Sequence, residues 1–238
     1  MIYPEFEDKV VIVTGAAGGI GSKLVQRFED CGAIVYGTDI VESQQQHFVR
    51  GDISDIAFQK AWLKEVLANE GRVDVLINNA GVCPRTALSD ITEDEWRRVI
   101  DINLTATFFL SQICIEQMIG QKSGAIINLA SLAGKVGGIA VGAHYSASKA
   151  AIACLTKTLA RNGAGHGVRV NAVAPGVIDT DITSAATPQQ REAFKTTIPM
   201  GRIGDADEVV SPIMFLASSE ASYITGATLD INGGLLMD

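Results

Sequence analysis

Short apolar runs alternate with longer amphipathic stretches from one end of the chain to the other. Six runs of the kind found in strands buried between two layers lie at residues 10–13, 33–38, 73–78, 125–129, 168–173 and 227–231. Five stretches with apolar residues at helical spacing lie at residues 21–31, 56–69, 92–118, 145–162 and 205–217. Strands separated by helices form βαβ units. The pattern therefore predicts an α/β protein with a doubly wound parallel sheet of about seven strands and helices on both faces.

The order of these elements marks no domain boundary, and 238 residues are enough for one large α/β domain. We therefore predict a single domain over residues 1–238. One long irregular segment, 175–201, contains Pro188, Pro199 and a short helical pattern over 189–195. Because long connections in compact domains are usually functional lids or disordered pieces, we predict a substrate lid over about 181–200.

Charge and composition exclude several classes of partner. The net charge of −8, without any run of Lys or Arg, disfavours nucleic acid, whose phosphates need a basic face. No apolar run reaches the roughly 18 residues of a membrane span, and the first residues lack the pattern of a secretory signal. The four cysteines and three histidines are scattered, which indicates reduced, buried thiols and no metal site. We therefore expect a cytoplasmic protein with neither nucleic-acid nor membrane partners.

A glycine-rich segment, TGAAGGIG, joins the first predicted strand to the first predicted helix. Glycines at such a turn let the backbone approach a pyrophosphate, whose charge is met by free N–H groups and by the helix dipole. Asp39 follows the second strand, where a carboxylate hydrogen-bonds the adenosine ribose and repels a 2′-phosphate. No Lys or Arg lies within TGAAGGIG or between Asp39 and Arg50. The sequence therefore favours NAD over NADP as the cofactor.

A second motif, YSASK, places Tyr145 and Lys149 four residues apart, on one face of a helix. It follows a predicted strand that ends near Ser131. The spacing of the glycines, G-x-x-x-G-x-G, and this Ser, Tyr, Lys set resemble those of the short-chain dehydrogenase/reductase family. The resemblance extends over nearly the whole chain. It implies a Rossmann fold and hydride transfer between NAD and a secondary alcohol or ketone.

The same resemblance assigns the residues of the site. The catalytic residues it implies are Ser131, Tyr145, Lys149 and Asn103. The cofactor-binding residues it implies are Gly15, Ala17, Gly18, Gly19, Ile20, Asp39, Ile40, Asp52, Ile53, Asn79, Ala80, Gly81, Leu129, Tyr145, Lys149, Pro175, Gly176, Ile178 and Thr180. In this assignment Asp52 and Ile53 lie against the adenine ring, and the stretch 175–180 holds the nicotinamide carboxamide.

The expected chemistry explains these residue types. Tyr145 gives a proton to the forming alkoxide in reduction and accepts one in oxidation. Because a free Tyr has a pKa of about 10, we expect the Lys149 ammonium and the oxidised nicotinamide to lower the pKa of Tyr145. Ser131 holds the substrate oxygen through its hydroxyl group. Asn103 corresponds to the family position that keeps a water near the lysine for proton relay.

The sequence predicts the reacting group but does not identify one substrate. The spacing between Ser131 and Tyr145 is one residue longer than is common in the family, which changes the substrate wall more than the chemistry. We expect this wall to include residues 82–85, 138–143 and the lid, with His144 structural or substrate-lining rather than catalytic. An NAD-dependent alcohol, polyol or sugar dehydrogenase is the favoured interpretation.

Two alternatives are kept. One is a 3-oxoacyl-thioester reductase. Asp39 disfavours it because such enzymes normally prefer NADPH, and the acidic net charge disfavours it because an acidic carrier protein needs basic docking residues. The other is a cofactor-binding regulator without catalysis, which is disfavoured because all four catalytic positions are filled. In relatives the helices that begin near Thr92 and Tyr145 pair between subunits, so we expect a homotetramer or a homodimer.

Overall fold

A computed structural model describes residues 3–138, 141–180 and 187–237. The strands are β1 (Val10–Thr14), β2 (Ile34–Asp39), β3 (His47–Arg50), β4 (Val75–Asn78), β5 (Gly124–Leu129), β6 (Val168–Pro175), β7 (Ile178–Asp179), β8 (Gly204–Asp205) and β9 (Thr228–Ile231). The helices are α1 (Gly19–Glu29), α2 (Ile56–Glu70), α3 (Glu93–Ile100), α4 (Ala106–Gln121), α5 (Ala133–Val136), α6 (Ala143–Gly163), α7 (Pro188–Thr197) and α8 (Ala206–Ala217).

Seven parallel strands form the main sheet in the order β3-β2-β1-β4-β5-β6-β9, which confirms the predicted fold class. The short strands β7 and β8 pair separately with each other. The chain builds the sheet outward from β1 in one direction and then from β4 in the other. The loops that leave β1 and β4 therefore diverge, and a crevice opens between them at the carboxyl edge of the sheet.

The sheet is buried on both faces, which explains the uninterrupted apolar run of β1. Val11 and Val13 join one core cluster with α1 and α8, whereas Val10 and Ile12 join the other with α2, α4 and α6. Because successive side chains of a strand point to opposite faces, a strand between two helical layers must be apolar at every position. This packing fixes the carboxyl end of β1 where the glycine-rich turn begins.

The structure corrects several boundaries of the predicted elements. Strand β3 was not predicted, because HFVR is partly exposed at the edge of the sheet and has no continuous apolar pattern. The predicted helix over 92–118 is capped by Thr92, whose hydroxyl accepts from the amide of Glu95. It is interrupted by a π-helical turn, Asp101–Thr105, between α3 and α4.

Two further expectations concern the burial of the cysteines and the length of the apolar segments. All four thiols are free, but only Cys31 and Cys114 are buried, while Cys83 is partly exposed and Cys154 is exposed. Among the described residues, one helical segment, Glu93–Gln121, is long and apolar enough to cross a membrane by length and composition alone. Its side chains Leu110 and Met118 are fully buried in the core, as expected for a central helix of a folded domain.

Candidate functional site

A cleft of about 890 Å³ opens at the carboxyl edge of the sheet, over the divergence between β1 and β4. Every residue predicted to bind the cofactor lines this cleft, and so does Ser131. Asn103 lies just behind the lining, 1% exposed. The structure thus brings together residues from both halves of the chain that the resemblance assigned to one site.

The glycine-rich turn is packed too tightly for side chains at two positions. Gly15 has a φ of 66°, and a Cβ there would lie 2.9 Å from the Cα of Ala80. A Cβ on Gly21 would lie 1.9 Å from the carbonyl oxygen of Gly15. Asn79 fastens the turn from the other side, since its Nδ2 donates to the carbonyls of Thr14 and Gly15 at 3.0 and 2.9 Å. These contacts therefore hold the loops after β1 and β4 against each other at the base of the cleft.

The first turn of α1 faces the cleft without a capping side chain. Its N-cap residue, Gly18, is extended and provides no side-chain acceptor. The first N–H groups of a helix have no partner within the helix and carry partial positive charge. Gly18 and Gly19 line the cleft, so this backbone fits the pyrophosphate of a dinucleotide.

Asp39 stands beside this turn at the end of β2. Its carboxylate accepts from the amide of Ala17 at 3.1 Å and from the amide of Val41 at 3.2 Å. Arg50 is the register partner of Asp39 on β3, but its Nε donates to the carbonyl of Ile40 at 2.9 Å. The carboxylate is thus held in place at the cleft by two backbone donors.

The walls of the cleft combine Ile53, which the resemblance assigned to the site, with residues that the sequence did not single out. Ile53 is 8% exposed, and its carbonyl accepts from the amide of the buried Gln59 at 2.7 Å. The outer wall is formed by the charged face of α3 and the π-helical turn, with Asp94, Arg97, Arg98, Asp101 and Ile102. The sequence signal for this wall was weak, because charges on an amphipathic helix normally face solvent.

The Tyr145 hydroxyl faces the hydroxyl of Ser131 and the thiol of Cys83, and both groups influence its pKa. Burial raises the pKa of Tyr145, the neighbouring Cys83 raises it further, and the hydrogen bond from Ser131 partly opposes this. Lys149 does not lower the pKa of Tyr145 in this structure, and the expected lowering by Lys149 together with an oxidised nicotinamide stays a prediction. The ammonium stands 5.8 Å from the centroid of the Tyr145 ring.

Lys149 is 5% exposed, and its Nζ donates to the carbonyl of Leu129 at 2.6 Å. Burial lowers the pKa of Lys149 to about 8. A lysine with such a pKa can release and take up a proton near neutrality, which an exposed lysine cannot do. Its position one helical turn from Tyr145 follows directly from the YSASK spacing.

Asn103 lies in the π-helical turn and makes three hydrogen bonds. Its Oδ1 accepts from the amide of Val82 at 2.8 Å, while its Nδ2 donates to the carbonyl of Val82 at 2.9 Å and to the hydroxyl of Ser148 at 3.1 Å. A Cβ on Gly81 would lie 3.2 Å from Asn103 Oδ1 and 3.5 Å from Lys149 Nζ. Asn103 and Lys149 therefore flank the same glycine, and the relay water between them stays a prediction.

The last part of the site comes from the end of β6. The carbonyl of Pro175 accepts from Leu132, and the amide of Gly176 donates to the carbonyl of Ile231. These bonds hold the stretch through Thr180 at the edge of the cleft. Of the predicted lid, residues 181–186 lie outside the described residues, as do residues 139 and 140 of the expected substrate wall. Residues 187–200 include the capped helix α7.

No group of three or more His, Cys, Asp or Glu side chains that could hold a metal occurs within the described part of the chain. The site instead has parts that suit a dinucleotide-binding oxidoreductase: an uncapped helix start, a carboxylate held by backbone amides, and a Ser, Tyr, Lys set, all lining one cleft.

Comparison with known proteins defines the class. Residues 15–236 match the family model described as enoyl-(acyl carrier protein) reductase. The chain is 41% identical over 241 residues to the 3-oxoacyl-[acyl-carrier-protein] reductase of Vibrio cholerae, covering 97% of this chain and 98% of the relative. The corresponding protein of Thermotoga maritima is 38% identical over 244 residues, covering 97% and 99%.

Solved structures agree with this class. The ligand-free aldohexose dehydrogenase of Thermoplasma acidophilum has a TM-score of 0.92 at 34% identity, covering 98% of this chain and 96% of that chain. A 3-oxoacyl-[acyl-carrier protein] reductase from Brucella melitensis has a TM-score of 0.91 at 33% identity, covering 100% and 94%. The chain belongs to the short-chain dehydrogenase/reductase family and is an oxidoreductase of that family.

Proposed function

We propose that this oxidoreductase transfers a hydride between NAD(H) and a secondary alcohol or ketone. The observation that carries the proposal is the position of the Tyr145 hydroxyl. It lies between Ser131 and Cys83, at the cleft whose turn after β1 is bound by Asp39. A single cleft therefore offers both a proton donor for a carbonyl oxygen and a backbone cradle for a dinucleotide.

The proton path follows from the pKa values of the site. Because burial raises the pKa of Tyr145, its hydroxyl is protonated at neutral pH and suited to protonate an alkoxide. Ser131 then turns its hydroxyl to the same oxygen and stabilises the developing charge. The Lys149 ammonium compensates the negative charge of the phenolate. Because its pKa is lowered to about 8, the ammonium can then donate a proton that restores the Tyr145 hydroxyl.

The bound nicotinamide would supply or accept the hydride and, when oxidised, add a positive charge near Tyr145. Residues Gly15–Ile20 and Asp39 would hold the phosphate and adenosine end, and Pro175–Thr180 the other end. NAD is proposed over NADP because the Asp39 carboxylate would repel a 2′-phosphate at this place. No Lys or Arg lies between Asp39 and Arg50 to offset that repulsion, and the Nε of Arg50 donates to the carbonyl of Ile40.

The proposed substrate is an alcohol, polyol or sugar, as the name of the Thermoplasma aldohexose dehydrogenase indicates for that neighbour. A second candidate is a 3-oxoacyl thioester, which is favoured by the curated relatives with 38 to 41% identity over nearly the full chain. The two candidates share the reacting group, a ketone or secondary alcohol, and differ in what the rest of the substrate requires from residues around the lid.

A panel assay tests the function and separates the substrates. Reduction of NAD⁺ and NADP⁺ is followed with polyols, sugars and 3-hydroxyacyl thioesters, together with the reverse reactions. Turnover with NAD⁺ and one alcohol class is expected. Tyr145→Phe is expected to reduce turnover by about 10²–10⁴-fold while NADH still binds. Full turnover by Tyr145→Phe would exclude the proposed proton donor, and activity only with thioesters would make the second candidate the function.

We also propose that the protein acts as a homotetramer or homodimer in the cytoplasm and folds as one domain. Trp96 and Phe108, on the segment expected to pair between subunits, are 42% and 36% exposed and so accessible to a second copy of the chain. The free thiols agree with a reducing compartment. Light scattering at two protein concentrations tests the assembly, and a monomer at both would contradict it.

A further inference from the structure

A short segment after β4, residues 82–86, lies between α3, the π-helical turn and the start of α6. Asn103 binds both backbone groups of Val82, and the carbonyl of Pro84 accepts from the amide of Gly142 at 2.8 Å. At the far end the hydroxyl of Thr86 donates to Glu95 Oε1 at 2.6 Å. The segment is therefore fixed from three sides.

Cys83, within this segment, is the residue that meets the reacting centre. Its thiol lines the cleft beside Tyr145 and interacts with the Tyr145 hydroxyl. Burial raises the pKa of Cys83, so it is a neutral thiol at neutral pH and contributes shape and a weak acceptor rather than charge. A small displacement of the segment would move Cys83 away from the oxygen-binding position beside Tyr145.

His144 is a fully buried titratable residue for which the proposed chemistry has no use. Its Nδ1 accepts the backbone amide of Tyr145 at 3.0 Å. Tyr145 is in the first turn of α6, where amides have no acceptor within the helix, and the N-cap Gly142 has no side chain to provide one. The imidazole of His144 therefore caps the backbone amide of Tyr145.

The other ring nitrogen of His144 faces Glu95. Because Nδ1 accepts a hydrogen bond, the neutral ring carries its proton on Nε2. His144 Nε2 forms no hydrogen bond with any described residue, but it lies 3.5 Å from Glu95 Oε1, the same oxygen that accepts from Thr86. Trp96 packs beside the imidazole, with ring centroids 6.4 Å apart. Glu95 thus joins the start of α6 to the end of the segment 82–86.

We propose that His144 and Glu95 act as a positioning pair that holds residues 82–86 as a wall of the substrate site, with Cys83 against Tyr145. The inference rests on the proposed role of Tyr145. A wall of this kind contacts the substrate and not the dinucleotide. Its loss is therefore expected to raise the KM of the alcohol or ketone while leaving the affinity for NADH unchanged.

The test uses graded variants of the two residues. Glu95→Ala removes the shared acceptor, whereas Glu95→Gln keeps an oxygen for Thr86. His144→Asn keeps an acceptor near the Nδ1 position for the Tyr145 amide and loses the contact with Glu95. We expect Glu95→Ala and His144→Asn each to raise substrate KM, by up to about tenfold, because each removes a contact of the Glu95 carboxylate that helps to hold residues 82–86. Glu95→Gln should change it by less than about threefold.

The same preparations are measured for NADH binding and for thermal unfolding. NADH affinity is expected to stay within about twofold, as for the exposed control Glu65→Ala. The double variant Glu95→Ala, His144→Asn should raise KM no further than either single change, because both break one link. Thermal destabilisation with an unchanged substrate KM would show a merely structural role and overturn the proposal.

Two further outcomes remain decisive. If Glu95→Ala fails to fold, Thr86→Val removes one hydroxyl group from the partly buried end of the link and should still raise substrate KM. An unchanged KM in Thr86→Val overturns the proposal. Failure of the proposed function is distinguishable, because it would appear as full turnover by Tyr145→Phe, whereas failure of the positioning pair leaves Tyr145→Phe inactive and substrate KM unaffected in these variants.

Discussion

Replacement of Asp39 by Asn is the sharpest test of how the cleft chooses its cofactor. The change removes the negative charge but keeps the size of the side chain and an oxygen that can accept from the amide of Ala17. Ala17 belongs to the turn expected to bind the pyrophosphate, so the carboxylate would lie beside the adenosine ribose. Any 2′-phosphate on that ribose would meet the carboxylate at close range.

The magnitude follows from Coulomb's law. At a separation of about 4 Å and an effective dielectric constant of about 20, each unit of phosphate charge costs about 4 kcal/mol. Asp39 is partly exposed, and solvent screening is expected to halve this figure to about 2 kcal/mol, or roughly 30-fold in affinity. Loss of the charge-assisted bonds to the ribose should weaken NAD by about 1 kcal/mol, or roughly fivefold. The preference between NADP and NAD should therefore shift by about 150-fold.

The assay is kcat/KM for NAD⁺ and NADP⁺ with one saturating alcohol, in wild type and in Asp39→Asn. Asp94→Asn is the matched control, since Asp94 also lines the cleft but stands on α3. The control should change both cofactors by similar factors. A wild type that already prefers NADP⁺, or a ratio that moves by less than about threefold in Asp39→Asn, would refute the assignment of Asp39 as the selective group.

Three other predictions concern chemistry, charge and packing. Ser131→Ala should lower kcat by about 10²–10³-fold with little change in NADH binding, because a donor to the developing oxyanion is lost; steady-state kinetics with an unchanged kcat would contradict this. Burial lowers the pKa of Lys149 from 10.5 to about 8, so between these pH values the unfolded chain holds a proton that the folded protein has released. Wild-type stability minus that of Lys149→Met should therefore rise by about 3 kcal/mol from pH 8 to pH 10.5 in urea unfolding, and a flat difference would contradict the burial argument. Gly21→Ala should destabilise the protein by more than about 2 kcal/mol and weaken NADH binding, since its Cβ would meet the Gly15 carbonyl, whereas Gly120→Ala, which has open space on α4, should be neutral or stabilising; equal melting temperatures for the two would refute the packing account.

The parts of the fold that follow from the sequence are those where one physical demand governs every position. The run VVIV of β1 must be apolar throughout because both faces of the sheet are covered, and Gly15 and Gly21 must lack side chains because backbone atoms already fill the space. Those demands predict the sheet, the turn and the cleft. Strand β3 was missed because it is an edge strand of mixed composition, held by its pairing with β2 and not by an apolar pattern.

The pKa of Tyr145 shows a second limit of sequence reasoning. The spacing of Tyr145 and Lys149 correctly predicts that they share a helical face, but the direction of a pKa shift depends on what each group touches. Lys149 gives its hydrogen bond to the carbonyl of Leu129, and the Tyr145 hydroxyl is shared between Ser131 and Cys83. Those contacts join strands and loops that are distant along the chain, so local spacing alone does not determine them.

Asn103 connects the two limits. A helix that continued without interruption from α3 into α4 would need no asparagine, which is a poor helix former. The π-helical turn adds a residue at this place, and it weakens the local backbone hydrogen bonding. The three side-chain hydrogen bonds of Asn103, each worth about 1 kcal/mol, offset that weakening and attach the turn to Val82 and to α6. The π-helical turn therefore meets two requirements. The helix must fill the core at α4, and the side-chain amide of Asn103 must reach Val82 in the loop after β4, beside Lys149. Asn103, a poor helix former, was the signal of this second requirement in the sequence.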